Sequence, residues 1–237
     1  GIAHDYNNLL SIIMGNLSLA LEETEPGSQL ADFLREAEKA SEKVRDLTHE
    51  LMTLSRGSAP AKEVMSITPL LRSVGSAVAA KKSISLGEIL PHDLWPIPHD
   101  PHKLGSVFRN VVTNAVEAMP DGGELTIKAR NLQVDDGDTL AGLSLKPGDY
   151  VQVTISDQGV GIPEDHLNKL FDPYFSTKPM GVQKGMGLGL ATAYANVKKH
   201  GGNMAVESSS GEGTAVHIYL PAESVTKSVQ NQSSSRV

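Results

Sequence analysis

Apolar residues recur at steps of three and four along the N-terminal part of the chain, which predicts two helices. The first helix covers residues 2–23, and Glu25-Pro26-Gly27-Ser28 follows it as a tight connection. The Ser28 hydroxyl is suited to cap the second helix. The apolar series of the first helix is Ile2, Tyr6, Leu9, Ile13, Leu17 and Ala20.

The second helix carries two interleaved apolar series with the seven-residue spacing of coiled-coil packing. A single antiparallel hairpin cannot bury both series together with the apolar face of the first helix. The pattern therefore predicts a homodimer in which two hairpins form a four-helix bundle. The alternative is a single-chain hairpin packed against the next domain. The two series are Leu30, Ala37, Val44 and Leu51, and Phe33, Ala40, Leu47 and Leu54.

Beyond the hairpin, short alternating stretches and longer helical ones follow each other, which predicts a second domain of mixed type. The fold class is therefore α+β, an antiparallel helical hairpin followed by an α/β sandwich with helices on one face of a mixed sheet. The predicted parts are the hairpin at 1–56, a linker at 57–66, the sandwich at 67–221 and a disordered, Ser-rich tail at 222–237. We predict strands at 63–67, 83–89, 94–97, 124–134, 150–157, 203–209 and 213–220, and helices at 68–80, from Asp100 to the Gly122-Gly123 pair, and at 188–200.

Composition narrows the class of protein without naming an activity. A hydrophobic share of 39% and a charged share of 21% over 237 residues are typical of a soluble globular protein. The net charge of −7 argues against a nucleic-acid surface. No apolar run approaches the roughly 18 residues that cross a bilayer, and there is no cysteine and no signal-peptide pattern. We expect a cytoplasmic segment without membrane contact of its own. Because the chain begins inside a predicted helix, we also expect it to be part of a longer protein, which could itself be membrane-attached.

Two asparagines lie four residues apart on the helix that starts at Asp100. Asn110 and Asn114 therefore share one face, with Val111, Val112 and Ala115 packed behind them. Amide oxygens are hard, neutral ligands suited to Mg²⁺, which keeps water and phosphate as its other ligands. The alternative is a pair of asparagines on a solvated helix face.

A carboxylate and two glycines directly follow a predicted apolar strand, in the sequence Asp157-Gln-Gly159-Val-Gly161. A carboxylate at a strand end accepts a hydrogen bond from an exocyclic amine such as that of adenine, and glycines let the backbone approach a flat ring. An ordinary strand-to-loop turn would give the same pattern.

Three further glycines, Gly185, Gly187 and Gly189, precede an apolar helix, where free backbone N–H groups bind phosphate. The pattern lacks the preceding strand of a dinucleotide fingerprint and the lysine of a P-loop. Between the last two strands, Gly-Glu-Gly-Thr214 reads as a hairpin turn whose threonine could also donate a hydrogen bond beside the adenine carboxylate.

Together, in this order, these segments resemble the ATP-binding domain of the histidine kinase, gyrase and heat-shock-chaperone superfamily. Residues 170–178, Leu-Phe-Asp-Pro-Tyr-Phe-Ser-Thr-Lys, look like the phenylalanine-containing box of that family, beside its mobile lid. The first ten residues resemble the histidine box of two-component sensor kinases, with Tyr6 where phenylalanine is usual.

The resemblance implies a role for each matching residue. His4 is the phosphoacceptor, Asn114 binds Mg²⁺ and Asn110 assists with the metal and the phosphates. Asp157 recognises adenine, Gly159 and Gly161 shape its pocket, Gly185, Gly187 and Gly189 lie by the phosphates, and Lys178 is a further phosphate partner. Asp5 orients the His4 ring and takes up its proton. Asn8, one turn beyond His4, positions water to dephosphorylate a response regulator.

The expected function is ATP-dependent autophosphorylation on His4 and phosphotransfer to an aspartate of a response-regulator receiver domain, with Mg²⁺ as cofactor. One alternative is an ATP-hydrolysing machine, although those relatives have a glutamate at the position of Asn110. A second is a degenerate kinase that binds ATP as a dimeric scaffold or acts mainly as a phosphatase. Because only three residues precede His4, we expect its helical turn to fray and the dimer to be weakened.

Overall fold

A computed structural model describes residues 2–55, 61–79, 83–176 and 187–223. The chain forms two compact units, one of Gly1–Ser58 with Thr177–Leu188 and the other of Ala59–Ser176 with Gly189–Val237. The first is a helical hairpin of α1 (Ile2–Glu22) and α2 (Gln29–Ser55). The backbone N–H of Ala31 donates to Ser28 Oγ at 3.2 Å, so Ser28 caps α2 as its sequence position predicts. Among the helices described, none has the length and hydropathy needed to cross a bilayer.

Many of the apolar side chains described on the hairpin face solvent and not its own helix–helix interface. Ala31 and Leu10 are buried within the hairpin, with exposures of 2% and 7%. In contrast, Leu30 and Phe33 are 58% and 57% exposed. The members of the two seven-residue series whose side chains are described are all exposed, namely Leu30, Phe33, Ala37, Ala40 and Val44. The other large apolar side chains exposed on this unit are Leu9, Ile12, Ile13 and Leu19.

The second unit is a sheet with helices packed on it, which confirms the predicted fold class. Its main sheet has the strand order β2-β4-β7-β9-β8, in which β2 and β4 are parallel and the other pairs antiparallel. Contacts join α3 to β2, α4 to β7 and α6 to β8 and β9, and α4 packs against both other helices. The elements are β1 (Glu63–Met65), α3 (Thr68–Ala79), β2 (Ile84–Ile89), β3 (Ile97–His99), α4 (Pro101–Glu117), β4 (Gly123–Val134), β5 (Thr139–Leu140), β6 (Leu143–Ser144), β7 (Gly148–Asp157), α5 (Glu164–Leu167), α6 (Gly189–Lys199), β8 (Asn203–Ser209) and β9 (Gly213–Pro221).

The strand predicted at 94–97 instead lies at 97–99, because side-chain hydrogen bonds hold the preceding loop. The backbone N–H of Trp95 donates to Asn131 Oδ1 at 2.9 Å, and Asn131 Nδ2 donates to the Asp93 carbonyl at 2.9 Å. Pro96 has no N–H to give to a ladder. β3 then pairs with β1, which ends at Met65 rather than at residue 67.

Three short elements escaped the sequence prediction. The β5–β6 hairpin lies in the loop between β4 and β7, where Leu140 and Leu143 pack against Tyr150 and Tyr219 on the side of the sheet opposite the main core. The one-turn helix α5 lies in the region predicted as loop. At the C-terminus, the first two residues of the predicted tail still donate N–H groups to Asp149 and Pro96 carbonyls, and residues 224–237 lie outside the described part.

The start of α4 is tied to the end of α6 by a buried histidine. Asp100 caps α4 by accepting the N–H groups of His102 and Lys103, and its own N–H donates to His200 Nε2 at 3.0 Å. His200 Nδ1 donates to the Asn196 carbonyl at 2.7 Å. Because Nε2 accepts a hydrogen bond, the ring is neutral here. Burial lowers the pKa of His200, and the Asn196 carbonyl opposes that effect only in part.

We predict that His200 makes folding sensitive to mild acid. The unfolded chain takes up a proton at this residue below about pH 6.5, whereas the folded protein resists it. The unfolding free energy therefore falls as the pH drops through that value, by up to about 1.4 kcal/mol per pH unit for one proton. Urea unfolding between pH 5 and 8 should give a shallower slope for His200→Gln, whereas the control His92→Gln, at an exposed position, should keep the slope of the parent. Equal slopes for all three proteins would refute the assignment.

Candidate functional site

The face of the sheet that packs on the helices ends in a row of polar side chains. Two apolar rows cross the sheet through β4, β7, β9 and β8, in that order. The first row is Ala129, Val153, Ile218 and Met204, and the second is Ile127, Ile155, Val216 and Val206. The next row on the same face is Leu125, Asp157, Thr214 and Ser208. Directly opposed residues of antiparallel strands share a face, so three polar groups stand side by side where the core stops.

Asp157 is the charged member of this row and is only 9% exposed. Its Oδ1 accepts the Gly159 N–H at 2.9 Å, and the Thr214 backbone also bonds to the carboxylate. Burial raises the pKa of Asp157, and these two backbone hydrogen bonds oppose the rise. A carboxylate held in this way is a fixed acceptor in a partly dry environment, which suits a ligand that brings an N–H donor.

The loop after Asp157 lies so close to its neighbours that positions 159 and 161 have no room for a side chain. A Cβ on Gly159 would stand 2.7 Å from the Ala118 carbonyl oxygen and from its Cβ. Gly161 has φ of 66°, and a Cβ there would collide with the Ser209 carbonyl oxygen. The loop is thereby held between the end of α4 and the β8–β9 turn. Gly213 plays a similar part that the sequence analysis missed, since a Cβ there would collide with the Asp157 carbonyl oxygen.

The two asparagines of α4 lie one turn apart, near the start of α6. Asn110 Nδ2 donates to the Gly189 carbonyl at 3.0 Å, which turns Oδ1 of the same amide away from that contact. Asn114 is exposed on the same helix face. No group of three or more acidic, histidine or cysteine side chains able to hold a metal occurs in the described ranges. The donor set that is present, neutral amide oxygens, fits a Mg²⁺ ion that is also bound by phosphates.

The glycine-rich segment before α6 is described only in part. Gly187 has φ of 70°, which suits glycine, and α6 begins at Gly189, whose position against Asn110 leaves ordinary contact distance. Gly185 and Lys178 lie outside the described residues. The part described therefore brings together Asn110 and Gly189, whereas the phosphate role of the remaining residues stays a prediction.

The histidine box lies at the start of α1, in the other unit. His4 and Asp5 belong to the first turns of the helix, and their side chains are not among those described. Asn8 follows His4 by one helical turn and is exposed. The expected fraying of the first turn stays a prediction.

Ser208 is a further residue of this region that the sequence analysis missed. Its hydroxyl contacts Ile162, Gly213 and Thr214, which brings the loop after Asp157 and the β8–β9 turn to a single side chain. The register of the predicted hairpin could have revealed it, because Ser208 is the β8 partner of Thr214.

Two family models match the chain. Residues 1–60 match the His Kinase A (phospho-acceptor) domain, and residues 99–224 match the histidine kinase-, DNA gyrase B- and HSP90-like ATPase. The sensor kinase CckA of Brucella abortus is 34% identical over 223 residues, which are 93% of this chain and 23% of that protein. Sporulation kinase E of Bacillus subtilis is 29% identical over 224 residues, which are 93% of this chain and 28% of that protein.

A crystal structure of full-length ShkA in complex with AMPPNP has the same fold, with a TM-score of 0.75, 21% identity and coverage of 94% of this chain and 45% of that one. This chain thus spans less than half of each of these proteins. The two family matches cover the hairpin and most of the sheet-containing unit, and the order of the two domains agrees with the order of the histidine box and the polar site described above. The chain therefore belongs to the histidine kinase family and consists of a phosphoacceptor domain followed by an ATP-binding domain.

Proposed function

We propose that this chain phosphorylates its own His4 with ATP and passes the phosphoryl group to an aspartate of a response-regulator receiver domain. The observation that carries the proposal is the buried Asp157, at the end of the sheet core, in the same unit as the paired amides of Asn110 and Asn114. An ATP-binding unit joined in one chain to a helix with a histidine box has the parts that this reaction needs. ATP is available in the cytoplasm, where we place the reaction.

In this proposal, Asp157 accepts a hydrogen bond from the exocyclic amine of adenine, and the glycine loop after it lies along the ring. Asn110 and Asn114 turn amide oxygens towards a Mg²⁺ ion at the phosphates. The metal, when bound, neutralises phosphate charge that would repel a nucleophile. Gly187 and Gly189 bring backbone to the phosphates at the start of α6, and Gly185 and Lys178 are assigned the same role from the sequence. The engaged amide of Asn110 offers no base for activating water, which disfavours simple ATP hydrolysis.

His4 is the nucleophile. A neutral imidazole nitrogen forms a bond to the γ-phosphorus while the bond from that phosphorus to the β,γ-bridging oxygen breaks, and ADP leaves with the electron pair. Imidazole suits this step because much of it is uncharged near neutral pH. Asp5, the next residue, takes up the proton that the ring loses. The aspartate of the receiver domain then attacks the phosphorus and releases His4.

A second activity is favoured by the position of Asn8. Asn8 is exposed and lies one helical turn beyond His4, so the two positions share one face of α1. An amide in this place can orient water towards a phosphorylated aspartate of a docked receiver domain. We therefore propose that the chain also dephosphorylates its response regulator.

The exposed apolar stripe of the hairpin supports a homodimer. Leu30 and Phe33 expose most of their side chains, and a groove of about 360 Å³ on the hairpin is lined by Leu9, Leu10, Ile13, Ala40, Ser41 and Val44. Apolar surface of this extent on a single hairpin is unfavourable in water. A second copy would cover it in a four-helix bundle.

We predict that incubation with γ-labelled ATP and Mg²⁺ gives acid-labile label on the protein. His4→Gln should abolish the label, and Asn114→Ala should reduce it at least about a hundredfold because the phosphates lose their metal partner. Asn8→Ala should keep the label and lose only the dephosphorylation of a phosphorylated receiver domain. Free phosphate without labelled protein would instead indicate an ATP-hydrolysing enzyme, and ATP binding without either product would indicate a scaffold.

We predict that Phe33→Glu dissociates the dimer. Burial of this ring in each subunit contributes about 1.5–3 kcal/mol, so its loss should raise the dissociation constant by at least about a hundredfold. Lys39→Gln is the matched control, since it changes the charge by the same −1 per subunit at another exposed position of α2. Analytical ultracentrifugation should separate the two variants. A monomeric parent protein, or equal dissociation constants for both variants, would contradict the four-helix bundle.

A further inference from the structure

The Ser208 hydroxyl makes three hydrogen bonds that together use its whole bonding capacity. It accepts the Ile162 N–H at 2.9 Å and donates to the Gly213 carbonyl at 2.7 Å. The third bond joins Ser208 Oγ to Thr214 Oγ1 at 2.9 Å. A serine hydroxyl has one proton and two lone pairs, so every bond that it can make is accounted for by Ile162, Gly213 and Thr214.

This count fixes the direction of the third bond. A carbonyl oxygen cannot donate, so the single Ser208 proton is committed to Gly213. The bond between the two hydroxyls must then use the proton of Thr214. With that proton directed towards Ser208, Thr214 Oγ1 has only lone pairs left for a ligand. The sequence suggests Thr214 as a donor beside the carboxylate, whereas the proton count makes it an acceptor.

Whether the Thr214 hydroxyl donates or accepts matters because Thr214 lies next to Asp157. The two residues are direct partners on β7 and β9, and Ser208 is the direct partner of Thr214 on β8. An ionised carboxylate also offers only acceptors. The row therefore presents two adjacent acceptors to a ligand and no side-chain donor. Adenine carries an amine with two N–H donors at C6, whereas guanine carries a carbonyl oxygen at the same place.

We propose that Ser208 is a positioning residue for nucleobase selection: by taking the Thr214 proton, it makes the site favour a purine with an amine at C6 over one with a carbonyl at C6. The proposal rests on the ATP-binding role proposed above and adds a residue that strengthens the preference for adenine over guanine. Ser208 acts through Thr214 and does not itself touch the base. Because Ser208 also accepts the Ile162 N–H, the preference between the two bases is linked to the position of the glycine loop.

The removal of the Ser208 hydroxyl should free the Thr214 proton. In Ser208→Ala, Thr214 can rotate and donate to a carbonyl oxygen, so guanine nucleotides should gain relative to adenine nucleotides. Titration calorimetry of the whole chain with Mg²⁺-ADP and Mg²⁺-GDP measures this directly. We expect the parent to prefer ADP by at least about a hundredfold, and Ser208→Ala to reduce that ratio by roughly five- to tenfold. Ser208→Thr, which keeps a hydroxyl, should restore the ratio, and Ser210→Ala, an exposed serine two residues further, should leave it unchanged.

A purely structural role for Ser208 would give a different result. If Ser208→Ala weakened ADP and GDP by the same factor, the ratio would stay at its parent value and the proposal would be overturned, while the ATP-binding role would stand. A parent protein that binds neither nucleotide would overturn both.

Thr214→Val provides a test that does not depend on the stability of the serine variant. Valine keeps the shape of threonine and removes the hydroxyl. If Thr214 only accepts, this variant should bind ADP more weakly and GDP no more weakly than the parent does. In the Thr214→Val background, Ser208→Ala should no longer change the ratio. Weakened GDP binding in Thr214→Val would show that the hydroxyl donates to the ligand and would refute the inference.

Discussion

The ATP-binding unit depends on a carboxylate buried at the end of an apolar core. The sheet and helices are held together by rows of aliphatic side chains, and the row that follows them contains Asp157 where another aliphatic residue would pack better. Burial raises the pKa of this group, so ionisation of the carboxylate in the folded protein costs stability. Backbone hydrogen bonds from Gly159 and Thr214 oppose this cost. We infer that a ligand with an N–H donor would satisfy the carboxylate further.

The surroundings of this carboxylate follow from the same constraint. The backbone must come close enough to donate to it, and the positions nearby have room for nothing larger than glycine. Ser208 then joins the glycine loop to the hairpin turn on the far side of Thr214. On the proposed adenine side, main chain and the partly buried hydroxyls of Ser208 and Thr214 hold each other. On the proposed phosphate side, Asn110 is held by the start of α6, and Asn114 is exposed.

Much of the fold and part of the site could be predicted from the sequence. Helices with a continuous apolar face, such as α4, were found with their N-terminal caps, because periodicity and an Asp-Pro start are local signals. The end of α4 predicted at Gly122-Gly123 was wrong, since the helix ends at Glu117 with Ala118 as its C-cap. The strand β3 was misplaced because Asn131, distant in sequence, holds the loop before it. The β5–β6 hairpin was missed because its leucines cover a second, small core that only the folded sheet creates. The role of Asp157 stays a proposal, but its position at the end of an apolar strand was readable from the sequence. The direction of the bond between Ser208 and Thr214 was not, since it depends on a proton count over residues from three separate segments.

We infer that Asp157 serves ligand recognition at a cost in stability, and Asp157→Asn tests this inference most directly. Asparagine can accept the same backbone N–H groups without a charge, so at pH 7 the variant should unfold in urea with a free energy equal to or higher than that of the parent. In the same preparation, calorimetry should show ADP binding weakened by at least about a hundredfold. A variant that binds ADP as tightly as the parent would contradict the account, and so would one that loses binding only because it is less stable.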